Sequence, residues 1–252
     1  MMRDITIGQY YPADSILHRL DPRVKFVSTL VYIISLFVFS SWVGYGVAAL
    51  FLVALIVLSK VPFGFMVKGL KPIMVLLLIT MFFNLVFTPG EVLWSFWILK
   101  ITKEGIRLAI KMGIRLVFLI IGASIMTLTT TPNQLTDGLE RLLRPLNKIH
   151  VPVHEIAMMM SIALRFIPIL MEETDKIMKA QMARGADFEN GNLIQKVKNM
   201  VPLLVPLFIS AFRRANDLAM AMEARCYHGG DGRTQMKPLA YEKRDYLAYL
   251  VV

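Results

Sequence analysis

No charge interrupts the run Phe26-Val-Ser-Thr-Leu-Val-Tyr-Ile-Ile-Ser-Leu-Phe-Val-Phe39. With Val24 before it and Ser40-Ser41-Trp42 after it, the run approaches the roughly 20 residues that cross a bilayer as a helix. A second apolar run, Trp42 to Ser59, follows a Ser-Trp-Val-Gly-Tyr-Gly break whose glycines suit a tight turn between helices. Lys60, Pro62, Gly64, Lys68, Gly69, Lys71 and Pro72 then mark a basic loop, and a third span is expected from Pro72 to Phe87. Thr88-Pro89-Gly90-Glu91 ends it. The stretch up to Ile101, with Trp94, Phe96, Trp97 and Lys100, reads as an aromatic interfacial segment on the opposite face. A fourth span runs from Gly105 to Thr130 and carries Arg107, Lys111 and Arg115 four residues apart, on one helical face. Two readings of that stripe stay open: it addresses a partner protein, or it snorkels to the interface and lines the bundle.

The composition of the 252 residues agrees, with 56% hydrophobic, 18% charged and a mean hydropathy of +0.57. That is too apolar for an ordinary soluble domain. A net charge of +10 fits nucleic-acid binding or the cytoplasmic flanks of a membrane protein, and the hydropathy selects the second. Cys226 is the sole cysteine, so an intrachain disulfide or a multi-cysteine metal site is excluded, and nothing requires an oxidising compartment. Met1 to Lys25 lacks the apolar core of a signal peptide, so no cleaved secretory leader is expected.

Arg3, Arg19, Arg23 and Lys25 precede the first span, and Lys60, Lys68 and Lys71 lie between the second and third, which places both segments on the cytoplasmic side. Lys100, Lys103 and Arg107 on the other side run against the rule. Everything after four spans then returns to the cytoplasm.

The pattern changes at Thr131-Pro132-Asn133-Gln134, a capping box with proline at the first helical position. Leu135, Leu139, Leu142, Leu143 and Leu146 share one side of an amphipathic helix with Asp137, Glu140, Arg141 and Arg144 elsewhere. Val151 to Arg184 is one long helical pattern, about 50 Å at 1.5 Å per residue. Glu172 with Lys176 and Asp175 with Lys179 turn its second half toward water or a polar partner. A second long helix follows from about Leu193 to Arg225, with Pro202 and Pro206 expected to bend it. Met158 to Met160, Met220 and Met222 supply adaptable apolar surface. Tyr241 to Val252 is too short to span and reads as the beginning of a last transmembrane helix, incomplete. The expected fold class is therefore all-α, a polytopic membrane helix bundle with a cytoplasmic coupling domain of long amphipathic helices. Residues 1–131 form the membrane domain, 132–240 the coupling domain and 241–252 the start of that last helix.

Both long helices finish alike. Gln181-Met182-Ala183-Arg184-Gly185 and Met222-Glu223-Ala224-Arg225-Cys226 each place Ala-Arg before a small residue, with the arginines 41 positions apart (225 minus 184). A cation stabilises the unpaired carbonyls of a helix end, small neighbours admit a partner, and guanidinium pairs bidentately with carboxylate. Asp21-Pro22 in turn caps and starts the first span, with Arg23 and Lys25 as interface anchors.

Together with His18-Arg19-Leu20-Asp21-Pro22-Arg23-Val24-Lys25, Thr129 to Pro132 and Arg165-Phe166-Ile167-Pro168, these motifs resemble the transmembrane coupling subunits, or T components, of energy-coupling factor transporters. The resemblance covers nearly the whole chain. It implies a multi-pass protein of the bacterial cell membrane that is not an enzyme and holds no cofactor, ATP and magnesium being bound by two partner ATPases of the ATP-binding cassette type. It also implies a membrane-embedded substrate-binding S component as third partner, in an importer of vitamins or micronutrients. Carried over, it assigns ATPase docking to Arg184 and Arg225, with Ala183, Gly185, Ala224 and Cys226 beside them. Cys226 departs from the usual Gly or Ser.

Two other classes compete: an intramembrane enzyme and a self-contained secondary transporter. Enzyme chemistry is hard to place. The chain has no Gly-rich Lys-Ser/Thr phosphate loop and no His-Glu-x-x-His pair. Glu172-Glu173 lacks the arginine of prenyl-protein proteases, where Ile177 stands, and His150 and His154 are split by Pro152 with no third ligand near. Against the secondary transporter, Asn84 is the clearest polar residue within a span and no inverted repeat is visible.

Overall fold

A computed structural model describes residues 10–39, 41–96, 99–186, 188, 193–230 and 238–251. Helix α1 (Pro22–Val38) starts where Asp21 accepts the Arg23 N–H with its side chain and Pro22 takes the first turn. Ser41 caps α2 (Trp42–Ser59) in the same manner, and Lys60 ends it in the left-handed region at φ 55°. A short α3 (Phe63–Lys68) and one 3₁₀ turn lead into α4 (Met74–Phe87).

The aromatic stretch after α4 is a β-hairpin: β1 (Val92–Phe96) pairs antiparallel with β2 (Leu99–Thr102), with an irregularity between Val92 and Trp94. Its β-branched and aromatic residues favour extended backbone over helix. The hairpin ends in the cap of α5 (Lys103–Thr129): Thr102 Oγ1 accepts the Gly105 N–H at 3.0 Å and donates to the Thr88 carbonyl at 2.9 Å. The remaining elements are α6 (Pro132–Leu143), a 3₁₀ turn (Arg144–Ile149), α7 (Val153–Ala183), α8 (Leu193–Glu223) and α9 (Lys243–Val251). At α6 the expected box is present, Gln134 N–H on Thr131 Oγ1 and Thr131 N–H on Gln134 Oε1.

The chain divides into two compact units, and the division falls inside α6. One unit comprises Gly8–Gly138 with Leu239–Val252, so α9 belongs with the first spans; the other comprises Leu139–Pro238. In the first, α5 packs against α1, α2 and α4, and its Ile121, Ile125 and Leu128 share a core with Tyr32 and Leu36 of α1, Leu52 of α2 and Met66 of α3. Gly105, Ala109 and Gly113 are buried along α5, four residues apart. A Cβ on Gly105 would lie 2.9 Å from the Leu85 carbonyl and one on Gly113 3.0 Å from Met81 Sδ, so α4 approaches as closely as small residues allow. In the second unit, α7 and α8 form an antiparallel pair, in which Gln181 reaches Pro202 while Glu173 reaches Ser210 and Arg214.

Among the described residues, four stretches are long and apolar enough to cross a membrane by length and composition: α2, Phe63–Phe87, α5 and α7. Helix α1, at 17 residues, sits at the lower end of the spanning range. Membership of α7 in this set sharpens the sequence pattern, which stressed its charged second half; the apolar length lies in its first half.

Candidate functional site

The two Ala-Arg ends are built as the same cap. At α7, Gly185 N–H bonds the Met182 carbonyl and Ala186 N–H the Gln181 carbonyl, both at 3.0 Å, with Gly185 left-handed at φ 89°. At α8, Cys226 N–H bonds the Glu223 carbonyl at 2.9 Å and Tyr227 N–H the Met222 carbonyl at 3.1 Å, with Cys226 left-handed at φ 55°. This paired pattern is the Schellman motif, in one register at both ends. It gives the residue after each arginine a second reason for being small: the position demands positive φ, which glycine adopts freely and cysteine does not.

The motif holds each arginine at the C-cap, just past the regular helix. Arg184 and Arg225 are exposed, as are Ala183, Gly185, Ala224 and Cys226. Neither guanidinium has a hydrogen bond or ion pair among the described residues. Because the helices are antiparallel, the arginines are not brought together. Gln181 sits beside Pro202, and 23 residues of α8 (225 minus 202) separate that contact from Arg225. Arg184 lies three positions beyond Gln181 in the other direction, so the two arginines stand about 40 Å apart at opposite ends of one helix pair. Apolar surface lies between them, with Met159, Met160, Phe208, Ile209 and Phe212 all exposed.

The start of α1 is the opposite case. Asp21 accepts from Arg23 N at 2.8 Å, from Arg23 Nε at 3.0 Å and from Arg23 NH2 at 2.8 Å. The pair is 3% and 11% exposed at its side chains. Arg23 also donates to the Leu239 carbonyl and lies 4.0 Å over the Tyr241 ring. Lys25 is buried and donates to the carbonyls of His18 and Thr129, at 3.1 and 2.9 Å. The second of these is an unpaired carbonyl at the end of α5, where a cation is favoured. Asp245, 2% exposed, accepts from Asp21 N–H and Glu242 N–H and so joins α9 to this knot. His18 Nε2 meets the Tyr11 carbonyl at 3.0 Å and Nδ1 the Ser15 hydroxyl at 2.7 Å, which assigns the proton to Nε2. Burial holds this imidazole below its ordinary pKa.

On α5, the cationic stripe and the small-residue stripe are offset by two positions, hence on opposite faces. Arg115 Nε donates to Tyr45 OH at 3.1 Å and Lys111 lies 5.5 Å from the Trp42 ring centroid, so these two cations pack on the start of α2. Of the two histidines weighed as metal ligands, His154 places Nδ1 2.8 Å from Glu140.

Apolar spans and a satisfied polar knot define a polytopic helical membrane protein. Comparison with known proteins carries this further. The CbiQ family, cobalt transport protein, matches residues 13–236. Relatives named energy-coupling factor transporter transmembrane protein EcfT are 60% identical in Clostridium kluyveri (99% of this chain, 93% of the relative) and 54% identical in Acidaminococcus fermentans (100% and 94%). One in Bacillus subtilis is 48% identical (97% and 93%). The chain belongs to this family, the transmembrane energy-coupling components of energy-coupling factor transporters. It is a bacterial membrane protein and one subunit of a multi-subunit transporter, with a transport rather than an enzymatic role.

Proposed function

We propose that the chain transmits ATP-driven motion from two ATPase subunits to a membrane-embedded S component that binds a vitamin or other micronutrient. The observation that carries this is the pair of matching caps, each presenting an exposed arginine with no hydrogen bond or ion pair among the described residues, at one end of a single antiparallel helix pair. An exposed arginine with no internal partner, fixed by a rigid cap, is pre-organised for a carboxylate or a carbonyl cluster on another protein. Two such ends about 40 Å apart suit two sockets, one in each ATPase. ATP and magnesium belong to those ATPases. Residues 132–240 act as the coupling domain on the cytoplasmic side, in keeping with the positive residues that flank the first two spans. The exposed apolar faces of α7 and α8, rich in methionine and phenylalanine, offer the S component and the lipid an adaptable surface.

When ATP closes the two ATPases, the docked ends shift relative to one another, the α7–α8 crossing changes, and the surface under the S component is reshaped. The test is co-expression of Arg184→Ala/Arg225→Ala with both ATPases and an S component, followed by purification through a tag on this chain. The expected result is loss of both ATPases with the chain still folded in the membrane. Full retention of both, with normal ATP-dependent uptake, would overturn the assignment.

A further inference from the structure

Helix α8 contains two prolines one turn apart, and each leaves a carbonyl without its helical donor. For Pro206 that carbonyl belongs to Pro202, four residues earlier. It is not left open: Gln181 Nε2 of α7 donates to it at 3.3 Å. The same glutamine holds the arginine-bearing cap with its backbone, since its carbonyl accepts both Arg184 N–H and Ala186 N–H at 3.0 Å. One residue thus closes the cap that presents Arg184 and fills the gap that a proline opens in the partner helix.

The contact falls where α8 is weakest against bending, because the carbonyls of Lys198 and Pro202 both lack an N–H from within the helix. From there the helix runs on through Pro206 to Arg225. A second polar contact lies eight residues away on each helix, where Glu173 accepts from Ser210 Oγ at 2.7 Å and from Arg214 NH2 at 2.6 Å. Beyond Glu173, toward the Arg225 end, the shared surface is mainly apolar, with Phe166, Leu170, Ala211 and Leu218 lining a groove. The two sets of hydrogen bonds pin the register of α7 against α8 at two points.

We infer that Gln181 is a positioning residue that ties the Arg184 end of α7 to the proline break of α8, so that displacement of one docking end is passed to the helix carrying the other. This rests on the docking role proposed for Arg184 and Arg225. The prolines make the inference testable in an unusual way. In Pro206→Ala the alanine N–H satisfies the Pro202 carbonyl within α8, and the donor on Gln181 becomes redundant.

The experiment measures ATP hydrolysis and substrate uptake together, for the complete transporter in liposomes, with Gln181→Ala made in the wild-type and in the Pro206→Ala backgrounds. In the wild-type background, Gln181→Ala is expected to keep both ATPases bound and ATP hydrolysis running while uptake per ATP falls several-fold. In the Pro206→Ala background, Gln181→Ala is expected to change uptake per ATP little. Gln181→Lys, which keeps a donor, is expected to recover most of the lost coupling. An equal fall in both backgrounds, no fall in either, or dissociation of the ATPases by Gln181→Ala would each overturn the inference. The docking role fails separately, if Arg184→Ala/Arg225→Ala retains both ATPases.

Discussion

Positive residues stand at the start of α1 and at the ends of α7 and α8, but the two regions use them in opposite ways. Around Asp21, every charged group has an internal partner: Arg23 on Asp21, Lys25 on two carbonyls, Asp245 on two backbone N–H groups. At Arg184 and Arg225 the Schellman bonds close the carbonyls of Gln181 and Met182 and of Met222 and Glu223, while the guanidinium is exposed. A cation surrounded by its own chain's carbonyls holds a fold together. A cation exposed on a rigid cap, with no partner among the described residues, leaves its hydrogen-bonding capacity for another molecule.

The contrast is broken most strongly by exchanging roles. Arg184→Ala and Arg225→Ala made singly are expected to leave the fold unchanged and to remove one ATPase each, read as the subunit ratio in the purified complex. Lys25→Met keeps the stem packed but leaves the His18 and Thr129 carbonyls short of a donor, at a cost of about 1–3 kcal/mol. That loss is expected as a lowered melting temperature of the chain in detergent, with docking intact in the folded fraction. Smaller effects come from the caps. Gly185→Val places a β-branched residue at φ 89° and is expected to destabilise the α7 end by about 1–2 kcal/mol. Cys226→Gly relieves the same strain at φ 55° and stabilises the α8 end by about 1 kcal/mol. Amide exchange in the last turn of each helix checks both, with opposite signs.

Much of this was legible in the sequence. The apolar runs, the breakers between them, the Thr131-Gln134 box and the long helical periods to Arg184 and Arg225 are local signals, and local signals survive folding. Partners distant in sequence were not legible. Lys25 meets Thr129 104 residues away, and Asp21 meets Asp245 224 residues away. Without those partners, Arg23 and Lys25 read as interface anchors. The hairpin at 92–102 was missed because an aromatic run suits a membrane interface as well as a strand. The close approach of α4 to α5 has a sequence signal, the Gly105, Ala109 and Gly113 spacing, which the cations at the same spacing obscured. At the helix ends, the residue types were visible, but two things needed the fold: the positive φ that Gly185 and Cys226 adopt, and the antiparallel pairing that sends the arginines to opposite ends.

The most direct test of the docking account is arginine modification by phenylglyoxal, mapped by mass spectrometry on the chain alone and in the assembled transporter. The account predicts that Arg184 and Arg225 react in the isolated chain and are both protected once the ATPases are bound, while Arg23 stays unreactive in both states. Equal modification of Arg184 and Arg225 with and without the ATPases would contradict it.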